Sequence, residues 1–107
     1  MMPRQKLREL VNSRRYVIVP GAYDPLTARL VQLAGFDAVY LTGGGYSRAN
    51  GLPDLGLFTM SENVEFISRA VGAVDIPVIA DMDTRYGNAL NLIRAIREFE
   101  KAGVAAI

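Results

Sequence analysis

The sequence contains no cysteine and no histidine among its 107 residues. Without cysteine there is no disulfide, no thiolate metal site and no thiol nucleophile within the chain. Without histidine, a Ser-His-Asp triad and a histidine-ligated zinc are excluded as well. Excess charge of either sign is also missing. Lys and Arg total 12 against 11 Asp and Glu, a formal charge of +1, which recommends neither nucleic acid nor an anionic membrane as a partner. No apolar run approaches the length of a membrane span, and the N-terminus lacks the apolar region of a signal peptide. A soluble cytoplasmic protein is the expectation. Linkers, low-complexity segments and charge blocks are absent too.

Half of the residues are hydrophobic and 21% are charged, a globular composition sufficient for a single domain with its own core. Met1 to Ser13 reads as an amphipathic helix with Leu7, Leu10 and Val11 on one side and a solvated face of Arg4, Lys6, Arg8 and Glu9. Tyr16 to Pro20 is the first strand candidate, apolar and β-branched. Asp24 is a natural N-cap and Pro25 suits the first helical position. The helix they open should bury Leu26, Leu30, Val31 and Leu33 before Gly35 ends it. Ala38 to Leu41 is the second strand candidate.

Thr42-Gly43-Gly44-Gly45 follows that strand at once. Glycines there let backbone N–H groups approach a ligand closely, as a concave anion site. The spacing is not that of a dinucleotide fingerprint, since no helix signal follows directly. Tyr46 to Phe58 is expected to be a long loop carrying Asp54, a residue that reads equally as an ordinary turn carboxylate. Thr59 and Glu62 then form a capping-box pattern ahead of a stripe of Val64, Ile67, Ala70, Val71 and Val74. Pro77 introduces a third strand, Val78-Ile79-Ala80. After Asn88, a periodic helix uses Leu92, Ile93, Ile96 and Phe99, Gly103 caps it, and Val104 to Ile107 begins a fourth strand.

The order α-β-α-β-α-β-α-β predicts an α/β fold of consecutive βα units with a parallel sheet. Its most informative stretch leaves the third strand. Asp81 and Asp83 are one residue apart, so on an extended chain both carboxylates face the same way. Like charges held that close call for a cation or a proton between them. Hard oxygen ligands at this spacing suit Mg²⁺ or Mn²⁺, which complete their shell with water and substrate oxygens. An aspartate after a strand can equally be a turn former or a helix N-cap.

Three blocks together resemble the isocitrate lyase and phosphoenolpyruvate mutase superfamily, nearest to its methylisocitrate lyase branch. Y-L-T-G-G-G at Tyr40 to Gly45 resembles the signature Y-L-S-G-G-G, G-L-P-D-L-G at Gly51 to Gly56 resembles the gating-loop segment, and D-M-D-T-R-Y-G-N at Asp81 to Asn88 resembles the metal motif D-A-D-T-G-Y-G-N. The resemblance covers nearly the whole chain. It implies the N-terminal part of a (β/α)8 TIM barrel, one partial domain over residues 1–107 that is truncated after the start of the fourth strand. It also implies a Mg²⁺-dependent lyase that releases pyruvate from a 2-methylisocitrate-like acid through a metal-stabilised enolate.

By the same resemblance Asp81 and Asp83 hold Mg²⁺ (with Mn²⁺ as a substitute), and Asp81 also faces the substrate, a small 2-oxo or 2-hydroxy acid. Tyr40, Thr42, Gly43 and Gly44 bind that substrate, Asp54 acts in catalysis by ordering the metal waters and closing the loop, and the whole enzyme is a homo-oligomer, usually a tetramer. Thr42 stands where the family has serine, and Arg85 where it has glycine. The family's E-D-Q metal segment and K-x-C-G-H catalytic loop fall beyond Ile107. The alternatives within the superfamily are phosphoenolpyruvate mutase, phosphonopyruvate hydrolase and oxaloacetate decarboxylase. Of another class is an inactive truncated fragment or interaction module whose open sheet edge pairs with something else.

Overall fold

The strands owe their length to their neighbours. In the computed structural model, which describes residues 2–13, 16–82 and 86–107, three short parallel strands form one sheet in the order β1-β2-β3. They are β1 (Gly21–Ala22), β2 (Val39–Leu41) and β3 (Val78–Ala80). The register pairs Gly21 with Tyr40 and Tyr40 with Ile79, and then Ala22 with Leu41 and Leu41 with Ala80. Because side chains alternate along a strand, Ala22, Val39, Leu41, Val78 and Ala80 all fall on one face, where they are buried. Tyr40 and Ile79 fall on the other face and are half-buried.

The first strand therefore lies later than predicted. Tyr16 to Val19 carries the β-propensity, but Tyr16 and Ile18 are exposed and outside the sheet. The ladder to β2 begins at Pro20, whose carbonyl accepts from Tyr40 N at 2.9 Å, and continues with Thr42 N donating to Ala22 O at 3.0 Å. A strand forms only where a neighbour offers its backbone, and β2 is three residues long. The predicted fourth strand shrinks for the same reason. It makes a single parallel bridge, Ile79 to Ala106, held by Ala105 N to Val78 O at 2.7 Å and Ala80 N to Ala106 O at 2.9 Å.

The described residues include five helices: α1 (Pro3–Ser13), α2 (Pro25–Leu33), α3 (Gly43–Ala49), α4 (Met60–Gly72) and α5 (Ala89–Ala102). Reciprocal capping boxes open three of them, with Asp24 and Thr27 at α2, Thr59 and Glu62 at α4, and Asn88 and Asn91 at α5. The helix α3 corrects the expected loop. Glycine costs about 1 kcal/mol per position relative to alanine in a helix interior, so three in a row argue against one. Tertiary contacts override that cost. The Tyr46 ring stacks on Phe66 at 4.2 Å with an interplanar angle of 5° and meets Phe58 at 4.5 Å. Thr42 caps the helix through its hydroxyl oxygen, which accepts from Gly45 N at 3.1 Å.

Helix α2 buries a small residue rather than the predicted leucines, while Ile67 and Ala70 of α4 are buried as expected. Ala28 of α2 is fully buried, whereas Leu26, Leu30 and Leu33 are 66%, 53% and 72% exposed. In α5 the buried residues are Ala95 and Phe99, with Ile93 and Ile96 exposed, and α1 buries nothing, leaving Val11 outside. In α2 a small residue meets the sheet and the leucines are left on the flank, whereas α4 buries Phe66 and Ile67 beside Ala70, and α5 buries Phe99 beside Ala95. No helix among the described residues is long and apolar enough to cross a membrane.

Phe99 is the largest fully buried side chain, and it joins the core cluster beneath β2 and β3. Phe99→Ala is expected to lower stability by about 3–5 kcal/mol, read as an earlier urea midpoint in circular dichroism. A loss below about 1 kcal/mol, the scale of an ordinary surface or single-methylene change, would show that this core does not organise the sheet.

Candidate functional site

The parallel register brings the ends of β2 and β3 to the same level, so the residues that leave them are neighbours. Asp81 N donates to Leu41 O at 3.2 Å, extending the ladder one residue past β3. By alternation Asp81 follows Ile79 and lies on the side of the sheet that also carries Tyr40. Its carboxylate reaches over the next strand end, where Gly43 N donates to Asp81 Oδ2 at 3.2 Å. Burial, and then the negative charge of Asp81, push the Tyr40 hydroxyl above its ordinary pKa of 10.0. The Tyr40 hydroxyl thus lies within reach of the Asp81 charge.

The three glycines stand where side chains cross the first turn of α3. A Cβ on Gly43 would lie 2.9 Å from Asp81 Oδ2. A Cβ on Gly44 would lie 2.8 Å from Asp54 Oδ2 and 3.2 Å from Arg48 Nη1, and one on Gly45 would lie 2.6 Å from Thr42 Cγ2. The turn is a bare backbone strip with one carboxylate laid over Gly43 and another over Gly44. Thr42 lends its hydroxyl oxygen to the cap, which leaves the hydroxyl proton to donate elsewhere. The Gly43 amide donates to Asp81, so that carboxylate, rather than an outside anion, takes this donor.

Asp54 arrives from the segment that follows α3. Gly51 N donates to Arg48 O at 3.0 Å and Leu52 N to Ser47 O at 2.9 Å, turning the chain back, and Leu55 N donates to Pro53 O at 2.9 Å around Asp54 itself. Both Asp54 and Arg48 are exposed. The sequence reading missed Arg48. Its signal is the four-residue spacing from Gly44, which matters only once residues 43–49 are known to be helical.

Of the predicted site residues, Tyr40, Thr42, Gly43, Gly44, Asp54 and Asp81 gather at this turn. Asp83 and Arg85 lie outside the described residues. Among the described residues no group of three or more acidic, histidine or cysteine side chains is assembled to hold a metal. What is present is an all-oxygen donor set, with Asp81 and Asp54 over consecutive glycines whose missing Cβ atoms open the space between chain and carboxylates. That chemistry fits a hard divalent cation such as Mg²⁺, which is commonly held by one or two carboxylates and completes its shell from water and substrate.

The phosphoenolpyruvate phosphomutase family pattern matches residues 7–107. Over 103 residues the chain is 52% identical to the 2,3-dimethylmalate lyase of Eubacterium barkeri, covering 95% of this chain and 36% of that enzyme. It is 46% identical to the 2-methylisocitrate lyase of Aeropyrum pernix, covering 98% of this chain and 34% of that enzyme. Among solved structures, a phosphonopyruvate hydrolase in complex with oxalate and Mg²⁺ superposes with a TM-score of 0.92 at 35% identity, covering 97% of this chain and 37% of that one. The chain spans about a third of the length of these relatives. Its strands and helices are those of the N-terminal part of a (β/α)8 barrel.

A tyrosine whose folded pKa is raised binds its proton more tightly in the folded state than in the unfolded one. Its contribution to stability is intact below pH 10 and is lost as pH rises through the folded value. Tyr40→Phe is therefore expected to flatten the alkaline decline in melting temperature above pH 10 and to remove one late-titrating tyrosine from an ultraviolet absorbance titration. An unchanged alkaline profile in Tyr40→Phe would refute the raised Tyr40 pKa.

Proposed function

Because this chain belongs to the phosphoenolpyruvate phosphomutase family, within the isocitrate lyase superfamily, we propose that the whole protein is a Mg²⁺-dependent carbon–carbon lyase of the methylisocitrate lyase type. It releases pyruvate from a 2-methylisocitrate-like acid. The observation that carries this reading is the Asp81 carboxylate, set 3.2 Å from the Gly43 amide at the shared end of two parallel strands. In barrel enzymes the chemistry sits at that end, on the loops that follow the strands. The identity to two lyases supports it.

The reaction needs the substrate hydroxyl to lose its proton and become the carbonyl of pyruvate. The electron pair of the broken C–C bond stays on the carbon next to the second product's carboxylate and is then protonated there. Negative charge therefore builds on oxygen atoms at both stages, and fixed donors and cations placed there lower the barrier. Bound Mg²⁺, or Mn²⁺ in its place, supplies a Lewis acid for that charge. Asp81 and Asp83 would hold the cation, and Asp54, which crosses Gly44, would add a further oxygen donor.

Thr42 donates its hydroxyl proton to a substrate oxygen, and protonated Tyr40 offers a second donor from the sheet face. Gly43 and Gly44 keep the turn bare, so the Asp81 and Asp54 carboxylates can cross it close to the backbone. A second reading has the same site acting on phosphonopyruvate, as a hydrolase or mutase; the likeness to the Mg²⁺ and oxalate complex of phosphonopyruvate hydrolase favours it.

One assay separates these readings. The whole protein is given 2-methylisocitrate, 2,3-dimethylmalate, oxaloacetate or phosphonopyruvate with Mg²⁺, and keto-acid release is followed with a coupled dehydrogenase. Release from a methylated hydroxy acid is expected, and Asp81→Asn should lose on the order of 10²–10³-fold in kcat, the cost of removing one transition-state stabiliser. Pyruvate and phosphate from phosphonopyruvate alone, or its isomerisation to phosphoenolpyruvate followed by phosphorus NMR, selects the second reading. No turnover of any of the four substrates removes the lyase assignment.

A further inference from the structure

Arg48 sits in the last turn of α3, where a basic side chain ordinarily complements the helix's C-terminal carbonyls. Its guanidinium is elsewhere. Helical side chains lean toward the N-terminus, so residue 48 reaches over residue 44, one turn back. There Arg48 Nη1 stands 3.2 Å from the point a Gly44 Cβ would occupy, and Asp54 Oδ2 stands 2.8 Å from the same point. The two opposite charges share that point without closing on each other. The ion pairs of the described residues join Arg4 to Glu100, Arg69 to Glu65, and Arg94 and Lys101 to Glu98. Arg48 and Asp54 are in none of them. Arg48 is exposed, so its planar fork of donors is open to a ligand.

Charge decides what such a ligand is. The 2-methylisocitrate-like substrate of the lyase reading is a trianion, and it meets a site that already holds Asp81 and Asp54. In that reading the half that becomes pyruvate lies against the divalent cation. The other half of 2-methylisocitrate carries two more carboxylates. 2,3-Dimethylmalate has the same hydroxyl and the same carboxylates on the two carbons that separate. It differs only in having a methyl group where 2-methylisocitrate has a carboxymethyl arm. Selecting between these acids is therefore a matter of one outlying carboxylate. Of the described side chains laid over the glycine strip, Arg48 is the cationic one, and a guanidinium matches a carboxylate with two parallel hydrogen bonds.

We propose that Arg48 is a specificity residue that binds the carboxymethyl carboxylate and so selects a tricarboxylate 2-hydroxy acid over its dicarboxylate counterpart. This rests on the lyase reading above and fixes the substrate class of the same site. Gly43 lies under Asp81 and Gly44 under Arg48, so a single small acid spans from one to the other.

The test compares wild-type whole protein with Arg48→Gln and Arg48→Lys in the presence of Mg²⁺, following loss of substrate by proton NMR. kcat/KM is measured for 2-methylisocitrate and for 2,3-dimethylmalate. Inhibition of 2-methylisocitrate cleavage is measured for each product; succinate carries the arm and pyruvate does not. Arg48→Gln should lower the preference for 2-methylisocitrate about tenfold or more, the scale of a lost hydrogen bond to a charged group. It should weaken succinate inhibition about tenfold more than pyruvate inhibition. Arg48→Lys, which keeps the charge without the fork, should fall between, and it decides by the same comparison if Arg48→Gln does not fold. A merely structural arginine would move both acids and both products alike. That result, or a wild type that prefers 2,3-dimethylmalate, overturns the proposal and leaves the lyase reading standing. Where wild type does not cleave 2,3-dimethylmalate, the two products decide. If wild type cleaves neither acid, the lyase reading fails and takes this proposal with it.

Discussion

The hydrogen bond from the Gly43 amide to Asp81 depends on a register. Leu41 pairs with Ala80, so two parallel strands end side by side, and the residues that leave them meet. A slip of one residue would turn Asp81 to the other face of the sheet, because side chains alternate. The rest of the site follows from that meeting. Gly43 is glycine because Asp81 crosses it, and Gly44 is glycine because Asp54 and Arg48 cross it. Thr42 begins the helix that presents both. The site is less a pocket lined by side chains than a seam between strand ends, with bare backbone on one side and carboxylates on the other.

The seam is held by a core of small residues. Ala22, Ala28, Ala38, Ala70, Ala80 and Ala95 are among the buried hydrophobic positions. An alanine buries little apolar area, so it adds little hydrophobic free energy. What it permits is proximity, with helix backbone drawn close over strand backbone. Phe99, Leu41 and Ile67 fill the centre of that core, while Leu26, Leu30, Leu33, Ile93 and Ile96 stand on the flanks. In a (β/α)8 barrel the flanks of one βα unit face its neighbours, so these exposed apolar side chains stand where lateral contact is made.

That division explains which parts of the fold could be read from the sequence. Caps are local, and Asp24-Pro25, Thr59 with Glu62, and Asn88 each announced a helix start that the structure contains. Val78-Ile79-Ala80 was legible because an apolar run of that kind must be buried. The missed elements were decided at a distance. Tyr16 to Val19 has strand composition and no partner, and the helix at Gly43–Ala49 exists because Tyr46 finds Phe58 and Phe66. Leu26 and Leu30 have the right period for a core, but periodicity does not say which of two apolar stripes meets the sheet. At the site, residue types and spacing brought Asp81, Thr42 and the glycines into view, and Arg48 stayed hidden with its helix.

The two described acids are tied down in different ways, and the difference bears on what each can do. Asp81 continues a strand. Its amide is in the ladder, its carboxylate is bonded to the next strand's exit, and Met82 behind it packs into the core. Asp54 rests on an exposed turn closed by a local bond from Leu55 N to Pro53 O. A group that must meet the same oxygen in every turnover belongs on the more constrained element, because errors in placement translate directly into lost stabilisation. A group that must let substrate in and product out belongs on the turn. Asp81 is therefore held by the ladder and the core, and Asp54 by one local turn, with Gly44 lying beneath it.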